Sequence, residues 1–471
     1  MSLVTVPLGP SLTAEQARAI YSQGEEAVVF ALLQLAQLSA AATKPAPPSP
    51  STPSGMIPPY QKEAKSSRRK KRKPGAQPGH AGHRRAVPDR IDEFQEHRLE
   101  RCPQCQGKLT RCSETRIRYT EDIPADITPV VTQHTIHRDW CSHCQKRVEP
   151  KLPDVLPGAM LGNRVLVLAA WLHYALGNTL SQIVEVFNHH LQMKITPGGL
   201  MQMWYRLQAV LYEWYEQLQA EAQSSAVLHA DETGWRVDGK THWLWCFSNP
   251  DTTYYLIDRC RGGPALARFF TQEFGGTLVS DFWSAYNQIA CAQRQTCLVH
   301  LLRDLEFVEQ YKRPGAGWAP FAKKLRRLLG DAIRLWKRDA VPEAEYASRR
   351  ARIDVRLQEL LVEGWDDPQA KRLIKRLRRH QNDLFTFLDH DDVPFDNNHA
   401  ERAIRPAVII RKNSYNNRSQ RGADTQAVLM SIYRTLKQRG HDPLQTVIQA
   451  LRTYATTGRL PALPSKVTAS G

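Results

Sequence analysis

The stretch LHADETGWRV, residues 228–237, decides the fold. A short apolar run meets two adjacent carboxylates there, Asp231 and Glu232, and then Thr-Gly, in a chain that is otherwise strongly basic. Working outward, AVLHAD reads as a strand ending on Asp231. A turn containing Asp238-Gly239 follows, then HWLWCFSN, a second turn at Pro250-Asp251, and TTYYLIDR. Three β-rich runs joined by turn chemistry predict an antiparallel meander. PALARFFTQEF is helical in period, and after Gly-Gly the apolar run TLVSD ends on Asp281. The order β-β-β-α-β returns the chain by a crossover, so the fourth strand is expected parallel beside the first. Asp231 and Asp281 then share one edge of the sheet. Carboxylates held that close repel one another unless a cation lies between them, which suits Mg²⁺ or Mn²⁺. Glu232 is expected to point the other way on the pleat and is assigned no metal role.

A third carboxylate is then wanted, and DNNHAERAIRPAVIIRKNSY, 396–415, offers Glu401 at the start of a helix. Each acid has a plainer reading: Glu401 pairs with Arg405 at i+4, and Asp at a strand end forms a turn. Architecture shifts the balance. Meander, crossover, second Asp and a late helix carrying an acid is the order of an α/β ribonuclease H-like catalytic core.

Composition sets the frame for this core. The 471 residues exceed one typical domain, and Lys+Arg exceed Asp+Glu by 64 to 47, a formal net charge of +17. Such an imbalance points to a polyanionic partner, nucleic acid above all. VLVLAAWLHYAL, 165–176, is too short to span a bilayer, and the N-terminus lacks the order of a signal peptide, so no membrane partner and a cytoplasmic location are expected.

Residues 1–41 carry a helical apolar pattern, read as an N-terminal helix that either oligomerises or packs on its own domain. Residues 42–88 read as a disordered Pro/Ser linker and a basic arm. In that arm Arg68, Arg69, Lys70, Lys71, Arg72 and Lys73 form one run, either a solvated tail or an arm that binds phosphates without reading sequence. Residues 89–155 hold two CxxC pairs, Cys102/Cys105 and Cys141/Cys144, each a tight knuckle. In a reducing compartment two such knuckles suit one structural Zn²⁺ in a small zinc-ribbon domain, with Cys112 and His143 near enough to substitute. Residues 160–224 read as helices at an angle, a helix-turn-helix or a packed pair with equal weight.

The core's first part spans 225–309 and a mainly helical, basic insertion spans 310–392. In it KKLRRLLGDAIRLWKR and KRLIKRLRRH place cations beside leucines; a solvated face is the default, and tracking a DNA backbone is the functional reading. Residues 393–460 complete the core with the Glu401 helix and a C-terminal helical segment, and 461–471 form a tail. Cys297 and His300 have metal-like spacing without a second pair, and read as packing or as support beside the site.

These blocks, taken in order, resemble the transposases of the insertion sequence 66 family. KRKPGAQPGHAGHRR, CPQCQGKL with the later CSHC, HADETGWRVDGK with WLW after it, LVSDFWSAY, CLVHLLRDLEF, DNNHAERAIRP and RGADTQAVLMSIYRTLKQRGHDPL carry the resemblance over most of the chain. It implies a DDE-type DNA transposase with Asp231, Asp281 and Glu401 as catalytic triad. Asp231 would bridge two Mg²⁺ (or Mn²⁺) ions, and Asp281 and Glu401 would each hold one. Water would free a 3′-hydroxyl at the element end, and that hydroxyl would attack target DNA with no covalent protein intermediate. The implied partners are double-stranded DNA (terminal inverted repeats and target), a homo-oligomer formed through the early helix, and accessory proteins of the same element. FWSAY follows the second Asp where many members have Gly-Tyr, and LVHLLRDL stands where many have Ala-His-Arg-Arg, so no role is carried onto Cys297 or His300. Two other readings stay open: a nuclease on the same fold that cuts without joining, and a non-catalytic zinc-ribbon DNA-binding protein, against which all three acids argue.

Overall fold

A computed structural model gives the fold and describes residues 13–42, 88–110, 116–124, 127–312, 314–336, 341–414 and 416–467. The Pro/Ser linker at 43–59, Arg68 to Lys73 of the arm, and Cys112 lie outside the described residues. Two compact units are distinguished: the first takes in 1–62, 135–184 and 195–471, and the second 63–134 with 185–194.

The first unit opens with α1 (Ala14–Tyr21) and α2 (Glu25–Ala42). The pattern read as one helix is thus two, because Gly24 sits at φ +102, where a helix cannot continue. Thr13 and Gln16 start α1 with a reciprocal capping box. A small hairpin, β1 (Asp139–Cys141) with β2 (Lys146–Val148), precedes α3 (Asn163–Tyr174), α4 (Leu180–Glu185) and the long α5 (Pro197–Gln223). Thr196 caps α5 through Gly199 N–H, with Pro197 at its first turn. Leu200, Trp204, Leu207, Leu211, Trp214 and Leu218, at helical spacing, are all fully buried on one face.

The sheet follows: β3 (Val227–Val237), β4 (Lys240–Ser248), β5 (Thr253–Asp258), α6 (Gly263–Phe269), β6 (Phe274–Ser280) and β7 (Cys291–Thr296). Spatial order is β5-β4-β3-β6-β7. β3, β4 and β5 form the expected antiparallel meander, and β6 returns parallel to β3. The first hairpin closes through Asp238 and Gly239 at φ +51 and +68, between the paired Val237 and Lys240; two left-handed residues match the twist of the strands. One expectation is corrected. β3 does not end at Asp231 but runs on to Val237, with Asp231 opposite Cys246 of β4. What stops near Asp231 is the parallel pairing, since β6 ends at Ser280.

The rest is helical: α7 (Leu298–Tyr311), α8 (Trp318–Trp336), α9 (Glu343–Val362), α10 (Pro368–Arg379), α11 (Asn398–Ser414), α12 (Gln420–Gln438) and α13 (Pro443–Thr457). α7 to α10 share one apolar core that begins at Val279 of β6 and includes Leu301, Leu305, Phe321, Leu325, Leu357 and Leu373. Part of the cationic surface here is paired: Lys324 with Glu363, Arg326 with Glu309, and Arg334 and Arg356 with Asp331. α11 packs on β3 and β4, and α12 on α5 and β5. β5 is an edge strand, and α12 covers its free amides with hydroxyls one turn apart. Thr253 N–H donates to Thr435 Oγ1 at 3.0 Å and Tyr255 N–H to Ser431 Oγ at 2.9 Å. The molecule is therefore mixed α/β, and among the described residues no helix is long and apolar enough to cross a membrane.

β6 begins with Phe274-Gly275-Gly276, where its register with β7 shifts. A Cβ on Gly276 would lie 2.4 Å from the Ser225 carbonyl and 2.6 Å from that of Ala226, both backbone atoms that hold the start of β3. Gly276→Ala is therefore expected to lower stability by about 3 kcal/mol, the upper end of ordinary overpacking. Urea unfolding of the two proteins measures it, and Gly275→Ala, with open space around its Cβ position, is the control.

Candidate active site

Asp231 and Asp281 are brought to one place by strand register. Val227, Leu228 and His229 pair with Thr277, Leu278 and Val279; carried two residues past the last pair, one of them beyond the end of β6, that register brings Asp231 and Asp281 level with each other. A backbone amide orients each carboxylate: Glu232 N–H donates to Asp231 Oδ1 at 2.9 Å, and Trp283 N–H to Asp281 Oδ1 at 2.8 Å. Burial raises the pKa of Asp231 well above the usual carboxylate range, reinforced by the charges of Glu232, Asp281 and Glu401. Burial likewise pushes Asp281 up to about 7, with the Glu232 charge next in size. Acids crowded out of water without a cation behave this way.

Glu401 lies in the first turn of α11. Its carboxylate receives Arg303 of α7 on both oxygens, Nη1 to Oε1 at 3.1 Å and Nη2 to Oε2 at 3.4 Å. Its charge reaches Asp231. Even so, among the described residues no three acidic, histidine or cysteine side chains converge on one point. The two aspartates and Glu401 have the charge and the oxygen donors that a divalent cation takes, and Glu401 would have to exchange Arg303 for it.

Asn397, just before α11, was not foreseen. Buried to 1% exposure, it donates from Nδ2 to the carbonyl of Ala230 at 2.7 Å, the residue that precedes Asp231. Its Oδ1 is 3.0 Å from His229 Nδ1, which therefore carries the proton, and its amide donates to Cys297 Sγ at 3.3 Å. Its carbonyl accepts from Glu401 N–H at 3.1 Å. One residue thus ties the Glu401 helix and, through its backbone N–H, the start of α7 to the Asp231 strand. The signal was the repeated amide in DNNHAER, a polar pair where a helix cap alone needs one residue. Cys297 serves as an acceptor in this knot.

The insertion reaches the same neighbourhood. Asp304 of α7, 1% exposed, is paired with Arg372 and Arg376 of α10, so those two cations answer a buried acid. Arg376 also lies 5.3 Å from the ring centre of Phe282, the residue after Asp281.

The zinc knuckles are built alike. Cys102 accepts Gln106 N–H at its carbonyl, and Cys141 Sγ accepts Cys144 N–H at 3.4 Å. Gln106 and Gln145, each next after its second cysteine, take positive φ of +59 and +51. In each knuckle the backbone amide of the second cysteine is the main cause that lowers the first thiol's pKa. Amides turned toward sulfur suit a metal thiolate. Described residues 88–134 expose nearly every side chain, so this segment has no apolar core and needs a staple of the kind a metal provides.

A family model described as Transposase IS66 family matches residues 158–425, more than half of the chain. The chain belongs to the IS66 transposase family. A second model, the zinc-finger binding domain of transposase IS66, matches 100–145 and takes in both knuckles of this family member. Two similar proteins come from Sinorhizobium fredii (strain NBRC 101917 / NGR234). Uncharacterized protein y4qI is 29% identical over 46% of this chain and 45% of its own length. Uncharacterized protein y4jD is 24% identical over 78% of each. The family is one of DDE-type transposases.

His300, three residues before Arg303, has a buried Nδ1 without a hydrogen-bond partner. Burial, then the Arg303 charge, lowers its pKa to about 4. Between about 6.5 and 4 the unfolded chain therefore takes up a proton that the folded chain refuses, and stability falls as pH falls through that window. Between pH 6 and 5 the wild type is expected to lose about 1 kcal/mol more than His300→Gln, read by urea unfolding at each pH. Parallel losses would contradict it.

Proposed function

We propose that this family member is a DNA transposase that cuts 3′ ends and transfers strands with divalent metal, on a ribonuclease H-like core. The observation that carries the reading is the β3–β6 register, which sets Asp231 beside Asp281, while Asn397 binds the Glu401 helix to the same strand. The sheet order β5-β4-β3-β6-β7, with an antiparallel meander and a parallel return, supports the fold assignment.

Asp231, Asp281 and Glu401 would hold two Mg²⁺ or Mn²⁺ ions. Bound there, such ions supply an activated attacking oxygen and stabilise the charge on the leaving oxygen. The chain's own part is to hold the carboxylates in place. Backbone amides orient both aspartates, and Arg303, which holds Glu401, carries a guanidinium that suits a phosphate oxygen. Water attacks first at the element end, the freed 3′-hydroxyl then attacks target DNA, and no protein side chain becomes covalently linked. Cys102, Cys105, Cys141 and Cys144 would share one structural Zn²⁺. The chain acts in the cytoplasm as a homo-oligomer, with accessory proteins of the element, on its terminal inverted repeats.

A labelled duplex carrying the element's inverted repeat, with Mn²⁺ and the element's accessory proteins, tests this. Wild type is expected to cut and to yield joined product; Asp231→Ala, Asp281→Ala and Glu401→Ala are each expected to lose at least about 10³ in rate, roughly 4 kcal/mol, with zinc content unchanged. Cutting by these variants at the wild-type rate would remove the triad, and cutting without joined product would leave a nuclease.

Arg68, Arg69, Lys70, Lys71, Arg72 and Lys73 are proposed to grip phosphates. Replacing all six by Ala is expected to flatten the dependence of log K on log salt by about 0.9 per phosphate lost, so by at most about 5. An unchanged slope would mark the arm as a bystander.

A further inference from the structure

Glu232, next to Asp231, carries no exposed side-chain surface. It spans two elements. Its Oε1 accepts from Arg261 Nε at 3.1 Å and Nη2 at 2.8 Å, and its Oε2 accepts from the Tyr286 hydroxyl at 2.6 Å. Arg261 is held in turn: its guanidinium lies 4.3 Å from the Trp243 ring centre and 3.9 Å from that of Trp283. Trp283 Nε1 donates to the Arg261 carbonyl at 3.2 Å, and Trp283 N–H is the group that orients Asp281. Tyr286 packs edge-on against Trp245, the residue opposite Glu232 on β4.

These contacts form a closed circuit. It starts at the residue after Asp231, passes through Arg261 and Trp283, and ends on Asp281. A buried ion pair is weak evidence for stability, because apolar residues of the same shape often do as well. It does supply direction, since both oxygens and the guanidinium fork accept only one arrangement. Neither oxygen of Glu232 is left to reach a metal without breaking that arrangement.

We propose that Glu232 is a positioning residue that, through Arg261 and Tyr286, holds the segment after Asp281 against β3 and so sets the distance between Asp231 and Asp281. The inference rests on the metal reading of those two aspartates. The segment 281–286 leaves the sheet after β6 and has no strand partner of its own at Asp281. Glu232 and Tyr286 supply that missing register.

Mn²⁺ binding to the full-length protein without DNA, followed by the loss of the free-ion EPR signal, tests it. Tyr286→Phe keeps the ring and removes one hydrogen bond, and Glu232→Gln keeps the shape and removes the charge. Each is expected to weaken Mn²⁺ binding by about tenfold or more, as loss of a group that orients a metal ligand does, and to lower kcat for cleavage with little change in KM for DNA. Asp231→Ala separates the two levels of the argument. If Asp231→Ala abolishes binding while Tyr286→Phe and Glu232→Gln bind Mn²⁺ like wild type and only melt earlier, Glu232 is structural and the inference fails alone. If wild type itself binds no Mn²⁺, or Asp231→Ala binds it equally well, the metal reading fails and takes this inference with it.

Discussion

Three parallel residue pairs, Val227 to His229 against Thr277 to Val279, hold the rest of the site in place. Through them the meander and the returning strand agree on where their carboxylates stand. A one-residue slip would turn every side chain of β6 to the opposite face and carry Asp281 away from Asp231. The structure protects that pairing from several directions. Gly276 lets β6 come within backbone contact of Ser225 and Ala226, Thr277 N–H donates to the Ala226 carbonyl, and Asn397 grips the carbonyl of Ala230 on the same strand.

The second constraint is electrostatic. Asp231, Glu232 and Asp281 lie together out of water; the charges of Glu232 and Asp281 add to the cost of ionising Asp231, and that of Glu232 to the cost of ionising Asp281. The cations around them are divided by role. Arg261 answers Glu232, Arg303 answers Glu401, and Arg376, committed to Asp304, still eases the charge on Asp281. At Asp231 burial is joined by the like charges of Glu232, Asp281 and Glu401, and the Glu232 backbone amide works the other way. Carboxylates crowded in this way suit a divalent cation, as membership in a DDE-type family suggests.

Local chemistry made much of the fold legible. Asp238-Gly239 announces a two-residue hairpin because two left-handed residues are needed, and the β-β-β-α-β order follows from apolar runs between turns. Other features depend on partners distant in sequence. β7 was missed because CAQRQT is polar and buries only Gln295 and Thr296. The passage of β3 through Asp231 was missed because two acids look like a strand end, when pairing with β4 sustains the strand. Asn397, Arg303 and Arg261 act on residues about 30 to 170 positions away, a separation that no local pattern records. In the insertion, Lys324, Arg326 and Arg356 meet acids that the fold brings in from elsewhere in the chain, partners that a solvated cationic face does not announce.

The central claim is that Asp231 and Asp281 share a divalent cation because the β3–β6 register puts them side by side. Crystals grown with Mn²⁺ and measured at the manganese absorption edge test it directly. The expected result is an anomalous peak about 2.1 Å from a carboxylate oxygen of each aspartate. A peak elsewhere, or a map without one at saturating Mn²⁺, would contradict the account.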